Sequence, residues 1–262
     1  MPHYPLPDVI GVDLYRQDAV VIRQGYHRDT VTATRSQVKE FSKESRRRLS
    51  FIASNTDVTF TAMATLTYPR EFPSDGAKVK RDWRAFRDAL ARKVPDLQYL
   101  WFLEFQQRGA PHIHLLLRGM RVWDETQHWL SETWYRICGS GDPLHLKAGT
   151  RLELIRLPDG ARHYTVKHMA KMRQKLVPEG YRNVGRFWGV SKGVKPEAKV
   201  ELQCTNDDLV GALAAGGWTW QKEDTIRWSV LYGASVPLTL WASDCILELS
   251  SRVKTVPIQL HA

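Results

Sequence analysis

The chain has 262 residues, with 38 Lys and Arg against 28 Asp and Glu, a net charge of +10 and a pI near 9.6. That length allows one large domain, or a catalytic domain with a smaller appendage, and the charge points to a polyanionic partner, nucleic acid before a membrane surface. No apolar run approaches the roughly 18 residues that span a bilayer, the opening MPHYPLPDVIGVDLYRQD lacks the pattern of a secretory signal, and Cys138, Cys204 and Cys245 are too scattered for a disulfide framework or a paired zinc knuckle, so a cytoplasmic protein with reduced thiols and no membrane partner is expected.

Residues 1 to about 50 carry little periodicity and end in Lys43-Glu44-Ser45-Arg46-Arg47-Arg48, which reads as the solvated patch of a basic arm or as the charged face of a helix. From Val58 to Tyr68 the sequence alternates, with Phe60, Ala62, Ala64, Leu66 and Tyr68 on one side and threonines mostly on the other, the pattern of a half-buried strand. Val79, Trp83, Phe86 and Leu90 recur at helical spacing over 78–92. Two apolar runs, 98–105 and 112–119, flank a short segment whose Gly109 and Pro111 suit a tight connection, which makes them a hairpin. Asp124 is placed to cap a helix reaching Cys138, with Trp129, Leu130, Trp134 and Ile137 inward and Gly139 as its stop. Residues 151–157 read as a further strand, Pro158-Asp159-Gly160 as a turn, and 162–176 as a helix. Beyond residue 200, Thr205 to Gly217 reads as a short capped helix and the remainder as small strands. This order predicts an α+β fold, an antiparallel sheet of about five strands with helices packed on one face and a small C-terminal extension, in the manner of a ferredoxin-like or RNA-recognition-type sandwich.

The chemistry concentrates in two places. Side chains alternate along a strand, so His112 and His114 project together while Ile113 points away. A hairpin centred near Arg108 with an odd number of loop residues sets Glu104 opposite His112 on that face. Two imidazoles and a carboxylate make a ligand set for a divalent metal, Mg²⁺ or Mn²⁺, with Mn²⁺ more tolerant of imidazole. On the helix after the last core strand, Tyr164, Lys167, His168 and Lys171 stand at i, i+3, i+4 and i+7, one stripe of a phenol, an imidazole and two ammonium groups. A solvated helix face is the plain alternative for that stripe.

Taken in order, the strand Thr65-Leu66-Thr67-Tyr68-Pro69, the segment Glu104 to Leu117 with Arg108-Gly109-Ala110-Pro111-His112-Ile113-His114, and Tyr164-x-x-Lys167-x-x-x-Lys171 resemble three motifs of the HUH endonuclease superfamily. The nearest resemblance is to replication initiators of rolling-circle plasmids and of filamentous or small single-stranded DNA phages. It extends over about 58–190 and includes Asn183 to Gly189. Along its length the chain divides into a basic N-terminal arm over 1–50, a catalytic domain over 51–200 and an extension of unassigned role over 201–262. The resemblance implies that Tyr164 attacks a phosphodiester of single-stranded origin DNA to leave a 5′ phosphotyrosine and a 3′ hydroxyl, and that Glu104, His112 and His114 hold the metal. Lys167 and Lys171 would assist the phenolate or bind phosphate, and a host polymerase and helicase would follow. Some relatives carry a second tyrosine where this chain has His168, so a single-tyrosine enzyme is implied and His168 is left for proton transfer, the metal site or DNA. Arg108 and Arg173 are candidate DNA contacts near the site. Two alternatives stand beside this reading: a single-tyrosine transposase or relaxase with the same chemistry, and a non-catalytic RNA-recognition-like binding protein, which would carry stacking aromatics where this sheet face holds histidines and a glutamate.

Overall fold

The computed structural model describes residues 10–15, 18–22, 38–156, 164, 175–196, 200–204 and 228–232. In chain order the elements are β1 (Ile10–Leu14), β2 (Asp18–Ile22), α1 (Lys43–Asn55), β3 (Ala62–Thr67), α2 (Gly76–Lys93), β4 (Gln98–Phe105), β5 (Pro111–Arg118), α3 (Asp124–Cys138), α4 (Pro143–Ala148), β6 (Thr150–Leu154), β7 (Trp188–Val190), β8 (Val200–Cys204) and β9 (Trp228–Tyr232). They fall into two compact units, Thr34–Lys195 and the two chain ends Met1–Ala33 with Pro196–Ala262. These divisions differ from the boundaries drawn at 50 and 200. The reason is a ladder between the ends: β1 and β2 form a hairpin flanked by β8 and β9 in the antiparallel order β8-β1-β2-β9.

The larger unit is built on a five-stranded antiparallel sheet in the order β6-β3-β5-β4-β7, the α+β architecture expected. Strand alternation gives this sheet two different faces. On one, Leu66, Trp101, Leu103, Ile113 and Leu115 are buried, and α2 and α3 pack there through aromatic edges: Trp83 lies 5.2 Å from Trp101, and Trp134 lies 5.6 Å from Phe86 and 5.1 Å from Tyr68. The other face carries Thr65, Thr67, Phe102, Glu104, His112 and His114. The start of α1 comes to this second face, where Trp188, paired with Phe102, donates from its indole nitrogen to Ser45 Oγ at 2.8 Å. The basic run of 43–48 is therefore the first turn and a half of a helix whose buried positions are Leu49, Ala53 and Asn55.

Local signals explain most boundaries. Asp75 caps α2 by accepting from the Ala77 amide at 2.9 Å. Gly139 ends α3 in the left-handed region, φ 63°, which glycine enters without a Cβ clash. At the start of that helix the cap is Trp123, with no side-chain bond, and Asp124 lies in the first turn, so the expected Asp124 cap is corrected. A carboxylate in the first turn still meets the positive end of the helix. Strand β3 begins later than Val58 because its ladder with β5 starts at Ala62↔Leu117. Apart from Tyr164, which is helical, and residues 175–176, the helix expected over 162–176 lies outside the described residues, as do the turn at 158–160 and the helix expected over 205–217. Lys175 sits in a 3₁₀ turn and Leu176 bridges to Glu40. Among the described residues no helix is long and apolar enough to cross a membrane.

Candidate active site

The site begins with a hairpin register. Strands β4 and β5 join through 106–110, centred on Arg108, and the last pair before that loop is Phe105↔Pro111. Gly109 makes the turn possible at φ 83°. The register sets Glu104 opposite His112 and Phe102 opposite His114, while β3 sets Thr67 opposite His112 and Thr65 opposite His114 on the other side. Two rows result across one sheet face: Thr67, His112, Glu104, and beside it Arg151, Thr65, His114, Phe102, Trp188.

Each imidazole is oriented by a threonine. Thr67 Oγ1 lies 2.9 Å from His112 Nδ1 and Thr65 Oγ1 lies 3.3 Å from His114 Nδ1. The two rings stand edge to face with centroids 4.5 Å apart, and the His114 ring also stacks on Phe102 at 4.9 Å. Behind the row, the Thr67 carbonyl accepts from the Trp134 indole at 2.8 Å and from His145 Nε2 at 2.7 Å. A carbonyl can only accept, so Nε2 carries the His145 proton.

Tyr164 joins this face. Its hydroxyl lies 2.9 Å from His114 Nδ1. Burial pushes its pKa above the ordinary phenol value and the Glu104 carboxylate adds to that, while a hydrogen bond from Thr65 opposes it. Glu153 on β6 raises it further and Arg151 lowers it, which puts that edge pair within electrostatic reach of the phenol. Glu104 is 2% exposed and His114 3%. Its two carboxylate oxygens have different neighbours: Oε2 lies 3.3 Å from His114 Nε2, and Oε1 accepts from the ammonium of Lys175.

Could these groups hold a cation? Among the described residues no three His, Cys, Asp or Glu side chains are already gathered as a ligand set. One Glu104 oxygen is taken by Lys175. The donor chemistry nevertheless fits. Two atoms bound side by side to an octahedral cation at about 2.1 Å stand about 3.0 Å apart, close to the 3.3 Å between His114 Nε2 and Glu104 Oε2. In the tautomer that places the His114 proton on Nδ1, toward the two hydroxyls, the Nε2 lone pair is on the side of the Glu104 carboxylate, and both are donor types suited to a divalent cation. Glu104 and His114 fit as ligands, with His112 on the same face beside them.

Of the residues expected from sequence, Glu104, His112, His114 and Tyr164 are brought together. Arg108 is at the hairpin tip, where its guanidinium donates to the carbonyls of Tyr68, Pro69 and Arg70 and to Gln106 Oε1 and lies over the Phe72 ring at 5.1 Å. These bonds tie the loop to the end of β3. Lys167, His168, Lys171 and Arg173 lie outside the described residues. Sequence reasoning gave no place in the site to four contributors. Thr65 and Thr67 were legible in principle, since their two-residue spacing puts them on one face of a strand. Arg151 had the same signal on β6. Lys175 had none, being one more lysine after a run of them.

The family model described as replication-associated protein ORF2/G2P matches residues 61–173. No curated protein and no solved structure matches the chain. The matched segment contains β3, the β4–β5 hairpin and Tyr164, and so includes both halves of the site just described. Over residues 61–173 the chain is thus similar to the replication-associated protein ORF2/G2P family, a match consistent with a rolling-circle replication initiator of the Rep type.

Proposed function

We propose that this protein initiates rolling-circle replication by nicking single-stranded DNA at an origin, with Tyr164 as nucleophile. The observation that carries the reading is the Tyr164 hydroxyl 2.9 Å from His114 Nδ1, on the sheet face that also holds Glu104 and His112. A structural tyrosine has no need of that company, and a buried phenol beside a carboxylate and two imidazoles is a chemical arrangement. The ORF2/G2P match supports the replication role and favours it over a transposase or relaxase.

In the proposed reaction the Tyr164 oxygen attacks phosphorus, the bond to the 3′ oxygen breaks, and that oxygen leaves as the 3′ hydroxyl after taking up a proton. The product is a 5′ phosphotyrosine whose energy is kept for rejoining ends. Glu104, His112 and His114 would hold Mg²⁺ or Mn²⁺, which supplies Lewis-acid polarisation of the phosphate. The rest falls to the chain. With a pKa above the ordinary phenol value, Tyr164 rests neutral and must lose its proton as it attacks. Thr65 and Thr67 fix the two ring orientations. Lys167 and Lys171 stabilise the charge developing at oxygen and phosphate, and the net charge of +10 gathers DNA to the surface. The freed 3′ hydroxyl primes a host polymerase, with a host helicase opening the template ahead of it. Because position 168 is histidine, the second cleavage draws on a second subunit, on activated water or on another residue of the chain, and the 3′ hydroxyl it frees attacks the phosphotyrosine, with Tyr164 as leaving group, to rejoin the ends.

The test is covalent capture. Incubated with Mn²⁺ and labelled single-stranded origin DNA, the wild type should carry label through a denaturing gel, and Tyr164→Phe should lose at least about 10³-fold of that signal while binding DNA as before. Label that stays on Tyr164→Phe moves the nucleophile elsewhere, and a wild type that shifts DNA but never holds it after denaturation is a binding protein.

A further inference from the structure

Glu104 and Lys175 are among the most completely buried charged side chains described, at 2% and 1% exposure, and they form an ion pair through Oε1. Lys175 does not reach this position by chance of a surface rotamer. Its carbonyl accepts from the Phe41 amide at 2.8 Å, the Val177 amide donates to Lys39 at 2.9 Å, and Glu40 bridges to Leu176. Its ammonium lies 5.9 Å from the Phe41 ring. A segment ahead of α1 therefore holds the backbone of Lys175 so that its side chain ends on a carboxylate of the hairpin. A buried carboxylate without a positive partner is strongly unfavourable, and Lys175 is the partner the fold supplies.

We propose that Lys175 is the resident counter-ion of the metal-binding carboxylate. It holds Glu104 aimed with Oε2 at His114 when no cation is bound, and it engages the other carboxylate oxygen. The ammonium also repels an incoming divalent cation, so the affinity of the site is set below what its ligands alone would give. Lys175 is in this sense a positioning residue that acts through Glu104. The inference rests on the reading of Glu104, His112 and His114 as a metal site.

The experiment measures Mn²⁺ alone, without DNA, binding to the full chain by calorimetry or by the loss of the free Mn²⁺ resonance, together with melting curves with and without Mn²⁺. Lys175→Gln removes the charge but retains an N–H donor, and should bind Mn²⁺ at least tenfold more tightly than the wild type. It should melt lower without metal and regain most of that loss with it. Lys175→Arg, which keeps the charge, should bind Mn²⁺ within about threefold of wild type. A Lys175→Gln protein too unstable to hold its fold in chelator still reports: refolding on addition of Mn²⁺ supports the proposal, and remaining unfolded overturns it. Equal or weaker Mn²⁺ binding by Lys175→Gln overturns the counter-ion role. If Glu104→Gln abolishes binding in that same series, the metal site survives that result. Should the wild type and Glu104→Gln bind Mn²⁺ alike, the metal site itself is lost, and the role of Lys175 with it.

Discussion

The two faces of the five-stranded sheet use the same strands for opposite purposes. The face toward α2 and α3 is closed by large aromatics, with Trp134 fully buried and in edge contact with Phe86 and Tyr68, and a polar cluster is paired within it: Tyr68 donates to Asp82 at 2.8 Å and Lys78 reaches the same carboxylate. Across the sheet, alternate residues of the same strands gather a carboxylate, two imidazoles, a phenol and a buried ammonium. A single residue's thickness separates the half that makes the fold from the half arranged for chemistry. Thr67 belongs to both, its carbonyl taken by Trp134 and His145 and its hydroxyl beside His112. The lesson is that period-two alternation lets a stable core and a polar site share one sheet without competing for volume.

Changes on either face should therefore separate stability from activity. The largest effect is expected on the apolar side, where Trp134→Ala should cost about 3–5 kcal/mol of stability through the cavity it leaves. The protein that remains folded should still capture DNA at a rate near wild type. Thermal or denaturant unfolding and single-turnover capture check the two halves of this statement, and a loss of chemistry larger than the loss of folded protein would show that the faces are coupled. Next comes Thr67→Val, which keeps the β-branched shape suited to a strand and removes only the hydroxyl beside His112. Mn²⁺ affinity or capture should drop about 10–100-fold, as when other outer partners of ligating histidines are removed, with the melting temperature little changed.

How far this division could be read without coordinates differs by element. The hairpin was legible because Gly109 and an odd loop admit one register, and a slip of one residue would turn His112 and His114 into the apolar core. Helix α3 was legible from its apolar spacing and Gly139, although its cap was not, since Asp124 is as favourable in the first turn as at the cap. Helix α1 was obscure because its first six residues are all polar or charged and its apolar positions Leu49, Ile52 and Ala53 come only in its second half. The hairpin of β1 and β2 was obscure for another reason: the strands that flank it, β8 and β9, come far later in the chain, and pairing over that separation leaves no local trace. Within the site, side chains that share a strand were predictable, and Lys175, delivered by a backbone bridge to the segment before α1, was not.

The smallest expected effect tests how far the chemical face extends toward the sheet edge. Arg151 lies on β6 in the row of Thr65 and His114. Its side chain is 74% exposed, and it pairs with Glu153 at 2.7 Å. An exposed pair of this kind contributes little to stability, so Arg151→Ala should leave the melting temperature within measurement error. Its position argues for another use, because its charge already acts on the Tyr164 phenol and a phosphate approaching that phenol would come within reach of the same guanidinium. Loss of one phosphate contact should weaken single-stranded DNA binding only a few-fold, and should make the slope of log affinity against log salt shallower by about 0.7. That slope is the decisive quantity, since a merely structural arginine would change affinity without changing the number of released counter-ions. An unaltered slope would end the chemical face at Thr65 and leave Arg151 as half of a surface pair.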